Sequence, residues 1–294
     1  MNVTVIINPV SGRQGHHARA QARASLAQGQ LAARGLQVEA IVTERPRHAH
    51  ALALAAVTAG AELVVAWGGD GTVNEVASAL AGTRARLGIV PGGSGNGLAR
   101  DLGIPLDPRA TLDVLVDGRD RVIDGWVLDG RPFFNVAGIG LDARVAQAFQ
   151  NHGGRGLVSY VGKTARALLA PVGTPCSIRT EGGTLDADAL VVALANSRQY
   201  GNDVLIAPQA RLDDGVIDIV VIPRMSVARL LWRVPRLLAG RIHEVPGVTV
   251  VRSATAAIES PVPLAYHVDG EPHIGGTRLE MTKLPELVTV RVPV

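Results

Sequence analysis

The hydrophobic pattern up to Gly118 alternates between short apolar runs and longer amphipathic stretches. The clearest case is the unbroken apolar run 63–67, which predicts a strand buried on both faces of a parallel sheet. Beyond a glycine turn, apolar residues recur at helical spacing between Val73 and Leu80, so a helix is expected there. Thr72 and Glu75 have the spacing of a capping box at the start of that helix.

The same alternation predicts a doubly wound α/β domain over residues 1–120. Asp107-Pro108 provides an N-cap and a first-turn proline for its last helix. The predicted strands are 3–7, 37–42, 63–67 and 87–90, and the predicted helices are 16–34, 48–59, 73–80, 98–102 and 109–116.

From residue 121 the pattern changes to short strands separated by turn residues, which is typical of a mainly antiparallel β-sandwich. We therefore expect a second domain over residues 121–286. Its predicted strands are 121–123, 126–128, 133–136, 176–180, 189–195, 216–222 and 265–268, its predicted helices are 141–149, 159–169 and 226–238, and a last strand is expected at 287–292.

Composition narrows the class of protein. With 294 residues, 47% hydrophobic and 19% charged, the chain can bury two cores. The net charge of +3 favours anionic partners mildly, but 3% aromatic residues and the lack of a basic run argue against nucleic acid. The single cysteine excludes an internal disulfide. No signal peptide and no apolar run of ~18 residues is evident, so we expect a cytoplasmic protein without a transmembrane segment.

Candidate chemistry lies in three glycine-containing turns, 8–13, 68–72 and 91–97, each directly after a predicted strand. Because the carboxyl ends of parallel strands share one edge of a sheet, these turns predict a single nucleotide cleft. Their glycines would allow positive φ and let backbone amides point at an anion. Asp70 would repel a phosphate there, unless a divalent cation lies between them or the carboxylate takes a proton from an attacking hydroxyl.

These turns carry a family resemblance. NPVSGR (8–13), GGDGTVNE (68–75) and PGGSGNGLA (91–99) resemble the catalytic domain of the diacylglycerol kinase and sphingosine kinase superfamily of lipid kinases. FNVAGIGLDARV (134–145), RLDDGVID (211–218) and VDGE (268–271) resemble later blocks of the bacterial members, so the similarity spans nearly the whole chain. GGDGT alone also occurs in NAD kinases. The resemblance implies an NAD-kinase-like fold in which residues 287–294 return to the first domain.

The resemblance also implies ATP as phosphoryl donor and Mg²⁺ as cofactor. Arg13 and Thr43 have plainer interpretations, as a solvated arginine and a turn residue. The residues implied to bind nucleotide are Asn8, Pro9, Ser11, Gly12, Arg13, Thr43, Gly68, Gly69, Asp70, Gly71, Thr72, Asn74, Gly93, Ser94 and Asn96.

Two acids are the catalytic candidates. By resemblance to bacterial diacylglycerol kinases, Glu271 accepts the proton of the lipid hydroxyl and Asp70 holds magnesium through water. In the sphingosine kinases the acid of GGDGT is instead described as the base, and the sequence leaves both assignments open. The resemblance further implies a structural magnesium on Asp214 and the backbone carbonyls of Arg211 and Val216, although the same residues also suit a simple turn.

The implied acceptor is a hydroxyl of a diacylglycerol-like or sphingoid lipid at a membrane surface. Two alternatives stay open. One is a kinase of a soluble acceptor such as NAD, and the other is a non-catalytic protein that binds a nucleotide or a lipid. Residues 200–203 replace a glycine-rich run of many relatives, so the acceptor is the least determined feature. The basic, apolar stretch 224–243 suits either peripheral membrane contact or a core-packed helix. Oligomeric state, including a homodimer, is left open.

Overall fold

The computed structural model describes residues 1–10, 16–151, 173–226, 229, 232–233, 236 and 240–294. The predicted helix 159–169 and most of the predicted helix 226–238 lie outside these residues. The elements up to Ile123 are β1 (Asn2–Ile7), α1 (His16–Ala32), β2 (Gln37–Val42), α2 (His48–Thr58), β3 (Leu63–Gly68), α3 (Asp70–Leu80), β4 (Arg86–Pro91), α4 (Gly97–Asp101), α5 (Pro108–Asp117) and β5 (Arg119–Ile123). They are followed by β6 (Trp126–Leu128), β7 (Arg131–Phe133), β8 (Val136–Gly140), α6 (Leu141–Asn151), β9 (Thr174–Thr180), β10 (Gly183–Ala195), β11 (Ile217–Pro223), a 3₁₀ turn (Ile242–Glu244), β12 (Thr249–Ser253), β13 (Thr255–Glu259), β14 (Ala265–Val268), β15 (Glu271–Ile274), β16 (Arg278–Lys283) and β17 (Val288–Val292).

The first compact unit comprises Met1–Ile123 and Glu286–Val294. Its described strands form one sheet in the order β2-β1-β3-β4-β17-β5, in which only the edge strand β5 is antiparallel to its neighbour. Every residue of β3 is buried, because β1 and β4 flank it and its two faces are covered. The predicted α/β fold class is confirmed.

Of the two predicted helix N-caps in this unit, the cap of α5 is confirmed and the cap of α3 is not. Asp107 caps α5 as predicted, its carboxylate accepting from the Ala110 amide at 2.9 Å. The predicted capping box of α3 is wrong, since that helix begins at Asp70 and has no side-chain cap. Thr72 and Glu75 instead bond to β1 and α2, as described below.

The second unit, Asp124–Pro285, contains an eleven-stranded antiparallel sheet. Its order is β15-β14-β8-β10-β9-β13-β16-β6-β7, with β11 pairing β10 and β12. Val192 and Leu194 of β10 enter one apolar cluster, whereas Val191 and Ala193 enter another on the opposite face. Burial on both faces explains the uninterrupted apolar run at this strand. Among the described residues, no helix combines the length and the apolar character needed to cross a bilayer.

The predicted strand 133–136 is wrong, because the chain leaves the sheet between β7 and β8. The amides of Phe134 and Asn135 donate to the carboxylate of Asp269 at 3.0 and 2.9 Å, so they are not available for a β-ladder. Strands β12, β13, β15 and β16 were not predicted from the sequence.

Cys176 of β9 is buried, and burial, with Asp188 adding to it, raises the pKa of its thiol to about 11. Because the thiolate is the reactive form, we expect maleimide to label the native protein at pH 8 at least about 100-fold more slowly than the unfolded protein. Labelling of the native protein should accelerate as the pH rises towards 11. Equal labelling rates in buffer and in guanidinium would contradict this burial.

Candidate active site

The carboxyl edge of the first sheet brings several predicted nucleotide residues together. The Asn8 amide donates to the Trp67 carbonyl at 3.0 Å, and the Thr43 amide donates to the Ile7 carbonyl at 2.9 Å. The Gly92 amide donates to the Gly68 carbonyl at 2.7 Å. Ladder hydrogen bonding therefore continues one residue past β1, β2 and β4, and the turns after these strands start in register.

Asp70 joins two of these turns. Its Oδ2 accepts from the Asn96 amide at 2.9 Å, and its Oδ1 accepts from the Gly97 amide at 2.7 Å. Asp70 thus holds the first turn of α4 from the start of α3. Carboxylate oxygens are ligands that Mg²⁺ takes in proteins, commonly with bound water completing the coordination. This donor set fits a magnesium ion held through water.

Asn96 closes the second turn from within. Its Oδ1 accepts from the Gly93 amide at 2.9 Å and its Nδ2 donates to the Gly93 carbonyl at 3.0 Å. The residue is buried with φ 51°, in the left-handed region that Asn tolerates better than most residues. The amides of Gly92, Gly93, Asn96 and Gly97 thus bond within the protein and do not point at an anion, as the sequence had led us to expect of this turn. Ser94 is exposed in the same turn.

Close packing requires glycine at positions 68 and 93 of these turns. A Cβ on Gly93 would lie 2.6 Å from the Gly69 Cα, and a Cβ on Gly68 would lie 2.4 Å from the Thr72 Oγ1. None of Gly68, Gly69 and Gly71 has positive φ, so the turn does not use the freedom that glycine allows there. The two turns instead contact each other backbone to backbone, and a side chain on either would separate them.

Polar side chains connect α3 to its neighbours. Asn8 Nδ2 donates to Thr72 Oγ1 at 2.9 Å, which links the end of β1 to the helix. Glu75 Oε2 accepts from the amides of Ala49 and His50 at 2.9 and 3.3 Å, so Glu75 caps α2. Both side chains of the supposed capping box therefore bond to other elements.

The remaining predicted nucleotide residues are placed as follows. Pro9 follows Asn8 in the turn after β1, Asn74 is half-buried on α3, and Gly71 is exposed there. Ser11, Gly12 and Arg13 lie outside the described residues.

Arg23 also lies at this sheet edge, although the sequence did not indicate it as a site residue. Its guanidinium donates to the Asn8 carbonyl at 3.2 Å and lies 5.8 Å from the centroid of the Trp67 ring. Burial, assisted by the charge of Arg19, lowers its pKa. The guanidinium therefore provides positive charge at the same sheet edge. No motif could have revealed it, because its position on α1 looks like any solvated helix residue.

Glu271 begins β15 in the second unit and pairs with Val268 across a two-residue turn. Asp269 and Gly270 have φ values of 45° and 83°, as a type I′ hairpin turn requires. The buried Asp269 carboxylate accepts from the amides of Phe134, Asn135 and Val136 at 3.0, 2.9 and 3.1 Å. The turn that carries Glu271 is thus fixed to the segment before β8.

Asp214, the implied structural magnesium ligand, forms an ion pair with Arg252. Arg252 Nε also lies 3.0 Å from Asp218 Oδ1, and burial raises the pKa of Asp218 although Arg252 opposes the rise. Asp214 Oδ1 accepts from the Val216 amide at 3.3 Å, while Arg211 is exposed. Arg252 is thus a cationic partner of this carboxylate.

Within the described ranges, no three or more histidine, cysteine, aspartate or glutamate side chains are grouped so that they could hold a metal ion. Of the basic stretch 224–243, Trp232 is 67% exposed, and the Arg236 guanidinium lies 4.7 Å from its ring centroid. Residues 227–228, 230–231, 234–235 and 237–239 of that stretch lie outside the described residues.

The chain thus joins an α/β unit, which carries an acid between glycine turns, to an antiparallel unit that carries a second acid. Residues 2–127 match the diacylglycerol kinase catalytic domain, and residues 135–292 match the YegS C-terminal NAD kinase beta sandwich-like domain. The chain belongs to the diacylglycerol kinase and YegS-like family of lipid kinases.

Individual relatives are similar over nearly the whole chain. "Diacylglycerol kinase" of Mycobacterium tuberculosis is 34% identical over 280 residues, covering 92% of this chain and 88% of that protein. "Probable lipid kinase YegS-like" of Pseudomonas aeruginosa is 32% identical over 282 residues, covering 93% and 90%.

Solved structures show the same fold. A candidate diacylglycerol kinase from Bacillus anthracis superposes with a TM-score of 0.82 at 23% identity, covering 99% of this chain and 95% of that one. An NAD kinase from Archaeoglobus fulgidus in complex with ATP gives a TM-score of 0.53 at 13% identity, covering 99% and 93%. At these identities the similarity concerns the fold alone.

Proposed function

We propose that this chain is an ATP- and magnesium-dependent kinase that phosphorylates a hydroxyl of a diacylglycerol-like lipid. The observation that carries the proposal is the match to the Mycobacterium tuberculosis relative named "Diacylglycerol kinase", which covers 92% of this chain. The two matching family models span the positions of both candidate acids. A sphingoid acceptor is the alternative within the lipid class.

Phosphoryl transfer requires positioned phosphates and neutralised charge more than covalent chemistry from the protein. At the carboxyl edge of the first sheet, Asp70 would hold the hydrated magnesium ion, and Arg23 and Ser94 would contact phosphate oxygens. When bound, magnesium would offset the negative charge that develops on the transferred phosphoryl group. The bonds that Asp70 accepts from the Asn96 and Gly97 amides would hold its carboxylate in place for that role.

Glu271 is the proposed proton acceptor. The lipid hydroxyl oxygen attacks the γ-phosphorus of ATP, the bond to the leaving ADP oxygen breaks, and the hydroxyl proton passes to a Glu271 carboxylate oxygen. Its place directly after a rigid type I′ turn suits that role, because a base must be held within hydrogen-bonding reach of the proton it takes. The lipid would be reached from a membrane surface, with the stretch 224–243 as the predicted contact.

The proposal is tested by following the label of γ-labelled ATP into diacylglycerol, monoacylglycerol, sphingosine and NAD, with the lipids in mixed micelles. We expect label in diacylglycerol with magnesium and none after chelation with EDTA. Label in sphingosine alone would move the acceptor to the sphingoid class. Label in NAD alone, or in no acceptor while ATP still binds, would overturn the proposal in favour of a soluble acceptor or a sensor.

A further inference from the structure

Three polar side chains from separate parts of the second unit meet beside the hairpin that carries Glu271. The Tyr200 hydroxyl donates to Asp142 Oδ2 at 2.9 Å, and His267 Nε2 lies 3.4 Å from the same oxygen. The Tyr200 and His267 rings are tilted with centroids 6.1 Å apart. Asp142 Oδ1 accepts from the Ala143 amide at 2.8 Å, so both carboxylate oxygens have donors.

The imidazole of His267 connects this cluster to the turn before Glu271. Its Nδ1 accepts from the Gly270 amide at 3.3 Å, which requires Nδ1 to carry no hydrogen. The ring proton is then on Nε2, where it faces the carboxylate of Asp142. Asp142 therefore stabilises the tautomer that can hold the Gly270 amide, and Tyr200 orients Asp142.

The backbone around the cluster is shaped to accommodate it. Gly138 of β8 lies opposite His267 of β14, and a Cβ on Gly138 would be 1.8 Å from Asp142 Oδ2 and 2.7 Å from His267 Nε2. Only glycine leaves room for the pair at this position. His267 itself is 4% exposed, so water has little access to replace the Asp142 contact.

Tyr200 is held by a short, tightly turned loop. Gly201, Asn202 and Asp203 all have positive φ, at 120°, 51° and 61°. The loop closes through the Tyr200 amide, which donates to the Val204 carbonyl at 3.1 Å. Asn202 and Asp203 have side chains, so holding them in this region costs free energy that a freely turning loop would avoid.

We propose that Tyr200, Asp142 and His267 form a positioning unit that sets the Gly270 turn and thereby the carboxylate of Glu271. This inference rests on the proposed function, because it assigns the unit to the phosphoryl transfer in which Glu271 accepts the proton. None of the three residues needs to touch the substrate. Their effect passes through the single hydrogen bond between Nδ1 of His267 and the Gly270 amide.

The test compares Tyr200→Phe with Tyr266→Phe. Tyr266 is the neighbour of His267 on β14, but its hydroxyl contacts Arg131 and Asp129 and not this unit. We expect Tyr200→Phe to lower kcat by about 10- to 100-fold, as loss of an orienting partner commonly does, with the KM for ATP unchanged. Tyr266→Phe should leave kcat at the wild-type value.

A tautomer measurement separates positioning from loss of structure. In protein labelled with ¹⁵N-histidine, long-range ¹H–¹⁵N spectra should show His267 of the wild type protonated on Nε2, with its signals assigned by their loss in His267→Gln. Asp142→Asn presents an amide that favours the other tautomer, so its signals should move to Nδ1–H and the Gly270 amide should shift. If Asp142→Asn does not fold, Tyr200→Phe is measured in the same way.

Two results would overturn the proposal: wild-type kcat in Tyr200→Phe, or a wild-type spectrum with the His267 proton on Nδ1. A wild-type protein that labels no lipid would refute the proposed function instead. In that case the proposed link from Tyr200 to the Gly270 turn is still decided by the spectra.

Discussion

Glu271→Gln should lower kcat for transfer to the lipid hydroxyl by about 10²- to 10⁴-fold, the range that a general base contributes. The amide has the size of the carboxylate but cannot accept the hydroxyl proton. Glu271 is half-buried at the first residue of β15, and the three amide bonds of Asp269 fix the turn before it. The free energy of unfolding should therefore change by less than about 0.5 kcal/mol.

Steady-state kinetics and urea unfolding of the same preparation test this prediction. The matched control is Glu280→Gln, an equivalent change at an exposed position of β16 where the carboxylate pairs with Arg278. The control should keep wild-type kcat. A Glu271→Gln protein with kcat within about threefold of wild type would exclude Glu271 as the base. Asp70, the alternative that the sequence left open, would then become the candidate.

Gly93→Ala should disrupt the nucleotide edge and also destabilise the fold. The new Cβ would lie 2.6 Å from the Gly69 Cα and 3.0 Å from the Asn96 Oδ1. Gly69 is backbone and cannot rotate away, so the two turns must separate and the bonds from Asp70 to the second turn lengthen. Forced overpacking of this kind costs about 1–3 kcal/mol. ATP affinity should fall together with stability, since both depend on the same contact.

Isothermal titration with ATP and urea unfolding measure the two effects. Gly29→Ala on α1 is the control, because a Cβ there meets nothing within 4 Å. Within a helix, that change should raise stability by about 0.5–1 kcal/mol. If Gly93→Ala kept wild-type stability and ATP affinity, the two turns could not be in the close contact described above.

The elements that could be predicted from the sequence are those whose conformation is determined by nearby residues. The apolar run of β3, the alternation of the first unit and the Asp107 cap of α5 all depend on neighbours within a few positions. The break between β7 and β8 could not be predicted, because it follows from bonds between Asp269 and amides 133 to 135 positions earlier. Glu75 shows the same limit, since its partners on α2 lie 25 and 26 positions away.

For the candidate site, motifs identified residue types but not their partners. GGDGT predicted an acid among glycines, but the sequence could not show that Asp70 binds the second turn. The amides of Asn96 and Gly97 donate to Asp70, although they were expected to face phosphate. Arg23 and Tyr200 belong to no motif, and VDGE includes Asp269 without showing that its carboxylate binds the amides of residues 134–136. Their roles depend on which strands and helices pack together, and side-chain type alone does not encode that.

During synthesis, the first sheet stays incomplete until β17 has left the ribosome, because the whole second unit separates β17 from β5. Until then β5 has no strand partner, and β4 exposes an unpaired edge that could template pairing with another chain. The charged residues Arg119, Asp120 and Arg121 of β5 oppose such pairing. The first unit is therefore completed last. Removal of a few residues near Val290 would leave both β4 and β5 without the strand that pairs with them.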